Sequence, residues 1–108
     1  MDRMGTRDVA LVGFGEAARA FVRGWGERAA GRLAAYDIKC RDDATRPVME
    51  AAGAALGVRC HAEPAPALEG ARIVFCLVTA DQALAAAQAC APHLPEGTFW
   101  LDGNSSSP

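Results

Sequence analysis

No two cysteines stand two residues apart in this chain, which removes the usual zinc-holding pattern and the thioredoxin-type redox pair. The four cysteines, Cys40, Cys60, Cys76 and Cys90, are widely spaced instead. Cys76 lies inside an apolar run and reads as a small buried hydrophobe. Nothing else suggests secretion, so reduced thiols in a cytoplasm are expected rather than disulfides. No metal site is expected. Long apolar stretches are missing too. Those at residues 9–14 and 73–78 fall far short of the roughly twenty residues that cross a bilayer. The N-terminus mixes Asp2, Arg3, Arg7 and Asp8 and has neither the apolar centre nor the cleavage pattern of a signal peptide. An excess of basic charge is missing: the net charge is −2, no basic stripe occurs, and Lys39 is the only lysine. The chain therefore offers nucleic acid no electrostatic footprint.

What is present is a globular composition. The chain has 108 residues and 51% of them are apolar, which suits one domain, residues 1–108, with a small core. Strand-like apolar runs alternate with alanine-rich helical stretches. Strands are expected at residues 9–13, 33–37, 58–60, 72–78 and 98–101. Helices are expected at 16–28, 48–56 with Pro47 in the first turn, and from Ala80 to about Ala91. Thr79 to Gln82 has the form of a capping box opening that last helix. Residues 39–45 and 63–70 read as loops, the second with at most one helical turn. Strands apolar on both faces suit a parallel sheet covered on both sides. The pattern predicts an α/β Rossmann-type doubly wound sheet of order 3-2-1-4-5 with right-handed crossovers.

The most informative stretch is Gly13-Phe14-Gly15-Glu16-Ala17-Ala18, which leaves the first strand and opens the first helix. In that context G-x-G-x-x-G/A indicates dinucleotide binding. Gly13 permits a tight turn, Gly15 leaves room for a pyrophosphate, and Ala18 lets the helix pack close to the sheet. The amides at the helix start, with their partial positive charge, would meet the phosphates. Asp37, ending the second strand, stands where an acidic residue accepts hydrogen bonds from the adenosine ribose. Its charge disfavours a 2′-phosphate and so favours NAD. Lys39 and Arg41, just beyond, would attract that phosphate, so NADP stays open. A methyltransferase reading stays open as well, because S-adenosylmethionine sites also use a glycine turn followed by an acidic residue.

Four segments, VGFGEAARAF, AAYDIK, VFCLVTADQALAAA and FWLDGNSSSP, appear in order along nearly the whole chain. Together they resemble the β-hydroxyacid dehydrogenase superfamily of 6-phosphogluconate and 3-hydroxyisobutyrate dehydrogenases, most closely its phosphogluconate-dehydrogenase-like bacterial branch. The final segment is similar to the family's Asp-x-Ser-Thr-x-x-Pro stretch, with Asn104 in place of the first serine and Ser105 in place of threonine. The resemblance implies an NAD(P)-dependent oxidoreductase that moves a hydride from a small hydroxyacid or related alcohol to the nicotinamide. It also places Val78 and Thr79 beside the cofactor. The expected cofactor contacts are then Gly13, Phe14, Gly15, Glu16, Ala17, Asp37, Val78, Thr79, Asn104 and Ser105.

The same resemblance implies a sixth strand, a helical C-terminal domain and a catalytic Lys–Asn pair, none of which can be placed here. The chain is thus read as the N-terminal, cofactor-binding portion of such an enzyme, inactive alone and with no catalytic residue of its own. The alternative is a dinucleotide-sensing module without chemistry. An uncovered sheet edge predicts self-association. His61 and His93 lack acidic or nucleophilic neighbours and read as surface or edge residues. Trp25 and Trp100 read as packing or interface residues.

Overall fold

The computed structural model describes residues 8–26 and 31–103. Nine elements follow one another: β1 (Val9–Val12), α1 (Glu16–Trp25), β2 (Leu33–Tyr36), α2 (Arg46–Leu56), β3 (Arg59–His61), α3 (Pro64–Leu68), β4 (Ile73–Cys76), α4 (Ala80–Cys90) and β5 (Phe99–Asp102). Short 3-10 turns occupy Ile38–Arg41 and Ala91–His93. The strands form one parallel sheet of order β3-β2-β1-β4-β5. This is the doubly wound order that the strand–helix alternation predicts.

Successive side chains of a strand point to opposite faces, and both faces here are covered. Ala10, Val12, Ala34, Tyr36, Val74 and Cys76 pack with Ala67, Leu68, Ala71 and Cys90 on the side of α3 and α4. Leu11, Leu33, Ala35 and Cys60 pack with Ala18, Val22, Cys40 and Met49 on the side of α1 and α2. β1 lies at the centre, and all but its first residue are buried. No helix among the described residues is long and apolar enough to cross a membrane.

Several boundaries move from their expected places, each for a local reason. β2 stops at Tyr36, because the Asp37 side chain accepts a hydrogen bond from the Lys39 amide and starts the 3-10 turn. Part of the segment expected as a loop is therefore ordered. β3 begins at Arg59 rather than Val58, because the Val58 amide donates to the Gly53 carbonyl (2.8 Å) and closes α2. α1 ends at Trp25, where Gly26 turns to a φ of +64°; residues 27–30 lie outside the described residues. The capping box at α4 does not form. The Thr79 hydroxyl accepts from no α4 amide and donates to the Asp81 carboxylate (2.6 Å), while the Gln82 amide donates to the Thr79 carbonyl (2.9 Å).

The sheet is covered unevenly. β5 pairs only with β4, and on it Phe99 and Leu101 are 69% and 46% exposed. Trp100 points the other way and packs against the α4 side. On the α1 side, Phe21, Trp25 and Phe75 gather with ring centroids 5.5–6.2 Å apart. Trp25 thus proves to be a packing residue. His61 lies half-buried in β3 and His93 is exposed on the turn after α4.

At the amino ends of the strands, Arg32 makes a two-pronged ion pair with Asp8 (3.1 and 2.7 Å). The hydrogen bond from Arg32 holds the Asp8 carboxyl below its usual value of 3.8. A depressed carboxyl pKa gives stability that is complete above the unfolded value and is lost as the pH falls. Arg32→Gln is therefore expected to lower the melting temperature at neutral pH, with the gap to wild type closing as the pH drops below about 4.

Gly53 supplies a second expectation. A Cβ there would collide with the Val58 backbone carbonyl oxygen. Alanine normally improves a helix interior by about 1 kcal/mol over glycine, but overpacking against fixed backbone costs about 1–3 kcal/mol. Gly53→Ala should therefore destabilise the fold in urea denaturation.

Candidate functional site

The turn between β1 and α1 needs glycine at Gly13 for two separate reasons. Its φ is +93°, a region L side chains rarely adopt. A Cβ there would also lie 2.8 Å from Val78 Cγ1 and 3.3 Å from the Leu77 carbonyl carbon. The loop leaving β4 therefore passes directly against the turn leaving β1. Gly15 differs. Its φ of −91° is ordinary, and a Cβ would meet nothing within 4 Å. Its missing side chain leaves open space rather than relieving a clash.

Gly15 is also the N-cap of α1, and no side chain caps that end. The first amides of a helix have no partner within it, so this end presents free donors and the positive pole of the helix. Ala18, in the third small position, is fully buried between α1 and the sheet. The three small residues thus do three distinct things: turning, opening and packing.

Asp37 lies next to the turn. Its Oδ2 accepts from the Phe14 amide (2.7 Å) and its Oδ1 from the Lys39 amide (2.9 Å). One carboxylate thus fastens the glycine turn to the end of β2 and shapes the following turn. Charge-assisted hydrogen bonds of this kind are among the stronger ones. A carboxylate has about four acceptor sites, so capacity remains for further donors. The Phe14 ring is buried in the core and its carbonyl accepts from Arg19 Nε (3.2 Å). The Arg19 guanidinium also stands 5.6 Å from the centre of that ring. Arg19 braces the turn from behind, a role with no motif in the sequence to announce it.

The turn, Asp37 and the β4 loop meet in one cleft of about 430 Å³ at the carboxyl ends of the central strands. One wall is Gly13, Gly15, Asp37, Ile38, Lys39 and Arg41; the other is Leu77, Val78, Thr79 and the Gln82, Ala85 and Ala89 face of α4. In open parallel sheets ligands bind in this crevice, where the strand order reverses. Gly13, Gly15, Asp37, Val78 and Thr79 are brought together in it as expected. Phe14, expected among the contacts, does not line the cleft: its ring is buried in the core and its amide is engaged by Asp37. Glu16 and Ala17 are exposed on the first turn of α1 and do not line the cleft. Asn104 and Ser105 lie outside the described residues.

The basic residues at the rim differ from each other. Arg41 donates to the Ala62 carbonyl (2.9 Å) and pairs with Glu63 (3.2 Å), with its guanidinium over the Tyr36 ring. Lys39 makes no ion pair among the described residues. Among those residues, too, no group of His, Cys, Asp and Glu is arranged to hold a metal ion. The small residues of α4 that floor the cleft are invisible to motif reading, since only the fold reveals which helix face turns inward.

Comparison with protein-family models and with curated proteins gives no match. Among solved structures, a conserved hypothetical protein from Sinorhizobium meliloti 1021 is similar over 93% of this chain, with 38% identity and a TM-score of 0.83. The match covers 33% of that protein, so the present chain spans about a third of its length. The likeness supports the Rossmann-like architecture and carries no activity with it.

The Asp37 bridge can be tested without any ligand. Asp37→Ala leaves two amides without their acceptor and should cost about 1–3 kcal/mol in denaturant, with Asp37→Asn costing less because it keeps one acceptor oxygen. Amide exchange at Phe14 should quicken in Asp37→Ala; unchanged protection there would show that the bridge is unimportant.

Proposed function

We propose that the cleft binds a nicotinamide dinucleotide and that the chain is the cofactor-binding portion of an oxidoreductase acting on a small hydroxyacid or related alcohol. The observation that carries this reading is the convergence of Gly15, the uncapped start of α1 and Asp37 on one cleft. Gly15 leaves a cradle that a side chain would fill. Beside it, amide donors and the helix pole suit the doubly charged pyrophosphate. The remaining acceptor capacity of Asp37 suits ribose hydroxyls. The alanine face of α4 leaves a flat, apolar floor for a planar ring. All of these fit a dinucleotide, and the resemblance to β-hydroxyacid dehydrogenases makes hydride transfer the accompanying chemistry.

When bound, the cofactor supplies the hydride acceptor. The residues here bind and orient it. Asp37 keeps the glycine turn rigid against β2, and Gly13 lets the β4 loop approach so that Val78 and Thr79 border the same space. No proton-transferring group for the substrate is assigned to this chain, whose single lysine, Lys39, stands at the Asp37 rim. NAD is favoured over NADP, because Asp37 would repel a 2′-phosphate. A dinucleotide-sensing module is the second reading. The exposed Phe99 and Leu101 on edge strand β5 support self-association.

Titration with NAD, NADP and S-adenosylmethionine tests this reading. Binding of NAD or NADP is expected; affinity for S-adenosylmethionine alone, or for none of the three, would overturn it. Gly15→Asp sharpens the test by separating stability from binding. Asp is a favoured N-cap and its charge suits the helix start, so the variant should be as stable as wild type or up to about 1 kcal/mol more stable. Its carboxylate would occupy the cradle and repel phosphate, so dinucleotide affinity should fall at least tenfold.

A further inference from the structure

Cys40 and Cys60 come from different elements yet have their sulfurs 3.0 Å apart, with the Cys40 thiol donating to Cys60. Cys40 sits in the 3-10 turn after β2, and Cys60 lies mid-strand in β3. Both are buried as free thiols. Disulfide sulfurs stand about 2.05 Å apart, so closing the bond needs a movement of only about 1 Å. Cys76 and Cys90 are also buried and free, on the other side of the sheet, and no sulfur–sulfur hydrogen bond joins them among the described residues.

The pair is not sealed from outside. Cys60 forms part of the lining of a hollow of about 450 Å³ between α2 and β3, together with Glu50, Ala54, Gly57, Val58 and Arg59. The hollow brings a small reagent up to Cys60, one residue of the pair. We propose that Cys40 and Cys60 are a disulfide-forming pair, oxidised by a small peroxide that enters through this hollow. The inference does not depend on what the dinucleotide cleft holds.

The chemistry balances with hydrogen peroxide as the oxidant. The Cys60 sulfur attacks the peroxide; an S–O bond forms, the O–O bond breaks, and one water leaves with the thiol proton. The Cys40 sulfur then attacks the Cys60 sulfenic sulfur. The S–S bond forms, the S–O bond breaks, and a second water leaves with the Cys40 proton. One peroxide is reduced to two waters while two thiols become one disulfide. Burial raises both thiols above the ordinary cysteine range. Little thiolate is therefore present at neutral pH, and the reaction is slow and restricted to small oxidants.

The bond would tie the cleft to the sheet edge. The Cys40 amide donates to the Asp37 carbonyl (2.9 Å), so Cys40 belongs to the same turn that holds Lys39 and Arg41 at the rim. Linking Cys40 to Cys60 fastens that turn to β3 covalently.

The test uses the whole native chain, treated with hydrogen peroxide, blocked at free thiols under denaturing conditions, and digested without reduction. The expected product is a monomer two hydrogens lighter, carrying a Cys40–Cys60 peptide that dithiothreitol separates, with Cys76 and Cys90 recovered as alkylated thiols. Cys60→Ala should abolish the cross-link and Cys76→Ala should leave it intact. Pairing of any other two cysteines, cross-links only between chains, or recovery of Cys40 and Cys60 as free thiols or separate sulfinic acids would each overturn the proposal. The wild-type result decides the matter even if a variant fails to fold.

Discussion

The architecture of the cleft depends on one carboxylate. Asp37 accepts an amide proton from the turn after β1 and another from the turn after β2, so two neighbouring strands share one anchor where they end. The sheet alone would not provide this. The β1–β2 register ends at Val12 and Tyr36; one more ladder bond, from the Gly13 amide to the Tyr36 carbonyl (2.7 Å), follows, and beyond it the two turns must find other partners. Because the anchor is ionic and only partly buried, it is strong enough to order the turns and still faces the open crevice. The same group therefore acts on the fold and on whatever occupies the space beside it.

Glycine serves opposite purposes at three places in this molecule. At Gly13 the backbone conformation and the neighbouring β4 loop both exclude a side chain; at Gly53 the carbonyl of Val58 excludes one from inside a helix. At Gly15 nothing in the protein excludes a side chain at all. Of these three, Gly15 is the one whose missing side chain the fold itself does not require.

The sequence was most legible where local chemistry and overall topology agree. The central strands β1, β2 and β4 were legible because strands covered on both faces are apolar throughout, whereas β3 keeps only Cys60 buried and β5 leaves Phe99 and Leu101 exposed. The G-x-G turn was legible because its spacing is dictated by backbone geometry. Asp37 was placed correctly beside that turn, although its hydrogen bonds to Phe14 and Lys39 were not foreseen; residue spacing says where a carboxylate lies, not which amide it takes first. Other features left no trace in the sequence. Thr79 has the form of a cap, yet its hydroxyl accepts no α4 amide and donates to Asp81 instead, an orientation that spacing does not fix. The alanine floor of α4 and the contact between Cys40 and Cys60 arise from elements far apart in the chain, which only the folded packing brings together; Arg19 is five residues from Phe14, but no motif marks its bond to that carbonyl.

The order of the sheet has a consequence for how the chain assembles. β2 is joined to β1 through α1, and β3 to β2 through α2, so one half of the sheet is built from neighbours in sequence. The other side of β1 must wait for β4, whose first residue, Ile73, pairs with Val9. During synthesis the central, apolar strand β1 is therefore an open edge until that distant partner emerges. Long-range parallel pairing of this sort is slow, and the nascent half-sheet passes through a window in which its own centre is its most adhesive surface.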